Sequence, residues 1–118
     1  RRIVREGQVF SRLTLDDAAE GVLAAYARPR GDAVYNLCDD EPAPNAEVIA
    51  YAARLAGLPV PPEEPYDAAA MSPAARRFWS ESKRVSNAKA KAELGWRPRH
   101  PTYREGLAAI LAAAEPGT

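Results

Sequence analysis

The sequence is poor in the side chains on which most enzymes rely. It has one cysteine, one histidine and one methionine in 118 residues. The cysteine, Cys38, lies in the apolar run AVYNLC and has no second thiol to meet. An internal disulfide, a zinc cluster and a redox pair are therefore excluded, and the lone thiol fits a reducing cytoplasm or a buried strand residue. No cations surround it locally to make its thiolate reactive. The histidine, His100, stands in RPRHPTY between two prolines and just ahead of a helix start, a place for a surface or capping group rather than a general base. No serine sits in GxSxG, and the seven glycines form neither GxGxxG nor a P-loop. Charge of one sign is not in excess: 16 Lys plus Arg balance 16 Asp plus Glu, which excludes the field that draws a protein to nucleic acid or an anionic membrane. No apolar run approaches a membrane span, and no signal-peptide pattern opens the chain. The start, RRIVREGQ, has no initiating methionine and leads almost at once into a strand-like segment, as a fragment of a larger protein would.

What is present reads as one soluble globular unit, 47% hydrophobic and 27% charged. Gln8 to Leu15 alternates as a strand does, with Val9, Ser11, Leu13 and Leu15 on one side and Phe10, Arg12 and Thr14 on the other. The adjacent carboxylates Asp16 and Asp17 follow. Neighbours on a helix point about 100° apart, so they do not converge on one atom as an acid/base pair would. Asp16 is read as the N-cap of a helix over 16–27, with Asp17 in its first turn and Ala18, Ala19, Val22, Leu23 and Tyr26 continuing it. Ala33 to Cys38 is a short, densely apolar strand, which completes the strand, helix, strand order of a right-handed βαβ crossover.

The loop DDEPAPN, residues 39–45, is read as a solvated turn, its three carboxylates being a poor metal site, and Asn45 as the cap of a helix to about Ala56 with Gly57 as its stop. LPVPPEEPY, residues 58–66, makes an extended connector through its prolines. Asp67 is expected to cap a helical stretch that Pro73 interrupts or restarts and that ends near Arg77, Phe78 and Trp79. SKRVS, residues 82–86, reads as a short strand, Asn87 as the cap of a helix stopping at Gly95, and Thr102 with Glu105 as the capping box of the last helix.

The most suggestive cluster is Lys83 and Arg84 with Arg77, Phe78 and Trp79, Arg76 being adjacent. Guanidinium groups beside aromatic rings make a clamp for a phosphate, a carboxylate or a planar ring, because the fork gives two parallel charged hydrogen bonds. A plainer account of the same residues is a helix end with solvated arginines and two core aromatics. Residues 1–57 and 58–118 are read as two successive pieces of one compact unit.

In this order and at these separations, FSRLTLDDAAEGVLAAY, AVYNLCDDEPAP, SKRVSNAKAKAELGWRP and PTYREGLAAIL resemble the C-terminal part of the extended short-chain dehydrogenase/reductases, the NAD-dependent epimerase/dehydratase family. The match covers nearly the whole chain. It implies an α/β fold, a C-terminal fragment of a Rossmann-type NAD(P)-binding fold in which residues 1–57 adjoin the sheet and 58–118 form a mostly helical substrate-binding lobe. It also implies that the glycine-rich loop for NAD or NADP and the Tyr-xxx-Lys proton shuttle belong to an absent N-terminal half, so that this piece alone has no catalytic, cofactor-binding or metal-binding residues. No tyrosine here is followed four residues later by lysine. The implied role is the substrate side of an oxidoreductase, epimerase or dehydratase acting on a hydroxyl- or carbonyl-bearing small molecule. Arg84, Lys83, Arg77, Phe78 and Trp79 are the candidate contacts, and a homo-oligomer is compatible with the family. The sequence departs from nucleotide-sugar members, which usually carry arginine where Phe10 stands, aspartate at Ser11, histidine at Thr14 and aspartate at Ser86; it is similar to an atypical branch. Two alternatives stay open: a non-catalytic dinucleotide-binding sensor, and an independent small α/β binding module.

Overall fold

Five helices and one short parallel sheet make up the computed structural model, which describes residues 1–29 and 31–114. Their starts follow from local chemistry. Thr14, in extended backbone at φ −72° and ψ 154°, accepts the Asp17 N–H at 3.3 Å and opens α1, Leu15–Ala27. The cap is therefore Thr14 and not Asp16, because the side chain that reaches the third N–H belongs to the residue two positions earlier. Both aspartates lie in the first turn, at the positive end of the dipole.

Helix α2, Asn45–Leu55, takes Pro44 as its cap residue, so Asn45 is its first helical residue and not its cap; Gly57 follows at φ 71°, a left-handed conformation that glycine adopts without steric cost. Strand β2, Glu63–Pro65, lies in the proline-rich connector. Asp67 sits in the turn after it, and the cap of α3, Pro73–Trp79, is Ser72, whose hydroxyl accepts the Ala75 N–H at 3.2 Å with Pro73 preset at the first helical position. Asn87 is the N-cap residue of α4, Ala88–Leu94, as read, although its side chain makes no cap bond: its amide donates to the Cys38 carbonyl at 2.9 Å and to Asp40 Oδ1 at 2.8 Å. Thr102 and Glu105 do open α5, Tyr103–Ala114: Glu105 Oε2 accepts the Thr102 N–H at 3.1 Å.

Strands are where structure and sequence pattern diverge. The named sheet pairs β1, Arg2–Val4, with β2 in parallel, Arg2 opposite Glu63 and Val4 opposite Pro65. Of the segments read as strands, 8–15, 33–38 and 82–86, none forms a named strand, and Leu15 belongs to α1. Phe10 makes isolated bridges to Ala43 and Lys83, and the Asp39 N–H donates to the Arg12 carbonyl at 2.7 Å. Helix α1 stands where the βαβ order put it, but a ladder needs a continuous row of partner groups, and among the described residues these segments show isolated bridges instead.

The chain divides into two units that interleave in sequence, each drawing stretches from both sides of Gly57. Unit 1 comprises residues 1–10 and 42–84, and its buried apolar residues include Ile3, Ala43, Ala50 and Ala69, with α2 packed on β1. Unit 2 comprises, of the described residues, 11–29, 31–41 and 85–114. Its core is Ala90, Leu94 and Trp96, against which Leu13, Ala24, Ala25, Tyr35 and Leu37 pack. The α1 stripe read from the sequence does not face this core. Small residues, Gly21 with Ala24 and Ala25, face inward, while Leu15, Val22, Leu23 and Tyr26 are each more than half exposed.

Candidate functional site

Within unit 1 the end of α3 is fixed from several directions. The Arg76 guanidinium donates to the Tyr66 carbonyl at 3.2 Å and the Ala69 carbonyl at 2.6 Å, and it lies 4.9 Å from the centre of the Tyr66 ring. The Tyr66 hydroxyl donates back to the Arg76 carbonyl at 3.3 Å, and Arg5 approaches the same ring at 5.2 Å. Arg76 is thus a structural residue. Buried Gln8 donates its amide to the carbonyls of Trp79 and Glu81, holding the chain where α3 ends.

Phe10 is placed by its own main chain, which exchanges both hydrogen bonds with Ala43 at 3.1 Å, while Lys83 N–H donates to the Val9 carbonyl at 2.8 Å. Three aromatic rings consequently meet. Phe10 lies nearly parallel to Phe78, with ring centres 5.5 Å apart and planes 7° apart. Trp79 stands edge-on to both, at 6.0 Å and 83° from Phe10 and at 5.2 Å and 88° from Phe78. Phe78 nevertheless remains 55% exposed, so it is not the core aromatic of the plainer reading.

The cations neighbouring these rings in the sequence have different fates. Lys83 is exposed and its ammonium lies 3.0 Å from Glu81 Oε2. Arg77 and Arg84 are exposed, and neither guanidinium is held in an ion pair among the described residues. The structure therefore brings Phe78 and Trp79 together, sets Arg77, Lys83 and Arg84 within the same short stretch, and adds Phe10. The sequence carried a signal for Phe10 only as a departure from the family pattern; its partner Phe78 is 68 positions away in the chain (78 − 10).

In unit 2, Asp17, Cys38, Asp39, Asp40 and Glu41 are tied into the structure. Buried Asp17 accepts the main-chain N–H groups of Arg99 at 2.7 Å and His100 at 3.0 Å, and its carbonyl accepts the Trp96 indole N–H at 3.1 Å. The acidic loop is not a solvated turn. Asp39 is buried, Asp40 pairs with Lys91 at 2.7 Å, and Glu41 pairs with Arg104 at 2.6 Å, so the three carboxylates diverge to different partners. Burial pushes the Asp39 carboxyl up to about 6, against the Glu41 N–H and the Arg12 guanidinium, which pull it down. The side chain of Asn87 and then Lys91 hold Asp40 below the ordinary value. The Cys38 thiol is buried, bonded to the Val85 carbonyl at 3.3 Å, and raised by burial and by the charges of Asp39 and Asp40, the opposite of an activated nucleophile.

No helix among the described residues is long and apolar enough to cross a membrane. No family model matches the chain. It is similar to a 3-diazoavenalumate denitrifying reductase from Streptomyces, 34% identical over 104 residues that cover 84% of this chain and 33% of the relative. Among solved structures it superposes on a conserved protein of unknown function from Silicibacter pomeroyi, with a TM-score of 0.92 and 55% identity over 98% of this chain and 42% of the other. The fold extends to an RMD from Pseudomonas aeruginosa solved with NADPH (TM-score 0.65, 23% identity, 93% of this chain and 33% of that one). It extends also to a UDP-glucose 4-epimerase from Bifidobacterium longum solved with NAD+ and UDP (TM-score 0.63, 24% identity, 88% and 29%). The chain thus spans one third of the reductase it matches and about two fifths of the Silicibacter pomeroyi protein.

Proposed function

From a chain that belongs to the extended short-chain dehydrogenase/reductases and corresponds to their C-terminal part, we propose that it forms the substrate-binding portion of a longer NAD(P)-dependent oxidoreductase or epimerase. The observation that carries this is the 34% identity to a reductase along 84% of the chain. The dinucleotide is held elsewhere: the sequence has no glycine-rich phosphate loop and no Tyr-xxx-Lys. When bound, that cofactor supplies the hydride chemistry. The residues of this chain bind and orient the substrate, a small molecule bearing a hydroxyl or carbonyl group. Arg84, Lys83, Arg77, Phe78 and Trp79 are the contacts, Phe10 joins them, and a cytoplasmic setting suits the buried thiol.

Two further features support the reading. The outer face of α1 exposes Leu15, Val22, Leu23 and Tyr26, and the extended segment 33–38 exposes Val34, as expected where another part of a larger protein covers them. The site itself carries no nucleophile or buried base, which suits a half that positions rather than reacts.

The test is to titrate NADH and NADPH into the 118-residue chain and into the longer protein encoded with it, following heat of binding. Binding is expected in the longer protein alone. In that protein, Arg84→Ala should raise the KM for substrate about ten-fold, the loss of one charged hydrogen bond, and leave the cofactor Kd unchanged. A longer protein that binds neither dinucleotide ends the oxidoreductase reading.

A further inference from the structure

We propose that Phe10, Phe78 and Trp79 form a stacking platform for a planar aromatic carboxylate, whose ring lies on the open side of Phe78 and whose carboxylate is gripped by Arg77 and Arg84. The proposal deepens the reading above by naming the substrate class, and it rests on that reading for the role of the bound molecule.

A defined ring stack without coverage is the central observation. Phe78 is 55% exposed, yet its orientation is fixed by Phe10 in a near-parallel stack at 5.5 Å and by Trp79 edge-on at 5.2 Å. Each neighbour is itself held. Phe10 is tied to Ala43 by two main-chain hydrogen bonds, and Gln8 bonds the Trp79 carbonyl. A solvent-facing phenylalanine has no reason to be immobilised for stability, since the favourable step is to remove it from water. A ring already fixed loses little side-chain entropy when a ligand stacks on it, which is the advantage of preorganisation.

The charges decide the rest of the ligand. Glu81 already neutralises Lys83, whereas Arg77 and Arg84 keep exposed guanidinium groups on the two stretches that flank the cluster. A guanidinium fork binds a carboxylate through two parallel hydrogen bonds. The exposed face of the platform is the Phe78 ring, which has no hydrogen-bonding atom. A sugar laid on it would lose water from its hydroxyl groups without replacement, whereas an aromatic ring buries only apolar surface.

The probe is naphthoate, titrated calorimetrically into the longer protein beside cyclohexanecarboxylate, which keeps the charge without the flat ring, and uridine diphosphate glucose. Naphthoate is expected to bind at least ten-fold tighter than either comparator. Phe78→Leu, which keeps apolar volume but not the π-face, and Arg84→Ala should each weaken it about ten-fold with an unchanged circular dichroism spectrum. Equal binding of cyclohexanecarboxylate, tighter binding of uridine diphosphate glucose, an unchanged affinity in Phe78→Leu, or no naphthoate binding would each overturn the platform. Those failures leave the dinucleotide titration untouched. Naphthoate binding in a longer protein that takes neither dinucleotide would instead end the oxidoreductase reading and leave the platform standing.

Discussion

Asp39 is a carboxyl whose ionisation the fold resists. Its ordinary value is 3.8, and burial raises it to about 6, so between these values the folded protein keeps a proton that the unfolded chain has released. The sign follows. The favourable contribution of the neutral carboxyl is complete below the unfolded value, declines as pH rises through this window and is gone above the folded value. Asp40 and Glu105, held low by Asn87 with Lys91 and by Thr102, work in the opposite direction, but only below about pH 4, where unfolded carboxylates take up protons. Urea unfolding midpoints should therefore be higher at about pH 5 than at about pH 7, by on the order of 1 kcal/mol. Asp39→Asn keeps an oxygen for the Glu41 N–H and should flatten that slope; a slope preserved in the variant would assign it to another group. Neither this carboxyl nor Asp17 was legible in the sequence. Asp17 bonds residues 82 and 83 positions away, a contact no local pattern encodes, and Asp39 stands in a run that looks solvated until Arg12 is placed beside it.

Helices were legible as elements because their hydrogen bonds are local. All five occur within a few residues of where periodicity, proline and glycine put them, and the errors concern caps: Thr14 for Asp16, Pro44 for Asn45, Ser72 for Asp67. Strands were not legible to the same degree, since alternation describes a segment's suitability for a sheet and cannot supply its partner. The face that α1 turns inward was also hidden, because a helix whose inner residues are small has its larger residues elsewhere. Gly21 shows why. A Cβ there would lie 2.5 Å from Leu37 Cδ1 and 3.3 Å from its Cγ, and Leu37 is packed against the Ala90, Leu94 and Trp96 core. Gly21→Ala gains about 1 kcal/mol of helix propensity but must push Leu37 into that core, at about 1–3 kcal/mol. A net loss is expected in denaturant melts, and combining it with Leu37→Ala should make the alanine at 21 favourable. If Gly21→Ala stabilises the wild-type background, the close approach is not limiting.

For the whole molecule, composition foretold balance and structure adds where the imbalance lies. The chain carries no formal net charge at pH 7, its isoelectric point is about 6.8, and large apolar side chains are exposed on α1. Self-repulsion is then least where the apolar face most favours contact. Sedimentation velocity should show the isolated chain associating near neutral pH, and Leu23→Lys with Tyr26→Lys should return it to monomer. Persistent association in that double variant would move the contact to another surface.

The interleaving of the two units bears on anyone who would exchange specificities between relatives. The chain passes from one unit to the other three times, between residues 10 and 11, 41 and 42, and 84 and 85. A single crossover after Gly57 would take α2 from one parent and β2, its companion in the same unit, from the other. Moving the aromatic cluster intact means grafting residues 1–10 and 42–84 together, as two inserts into a host that keeps its own 11–41 and everything from 85 onward. Chimaeras made by one cut should misfold, and those made by three should inherit the donor's ligand.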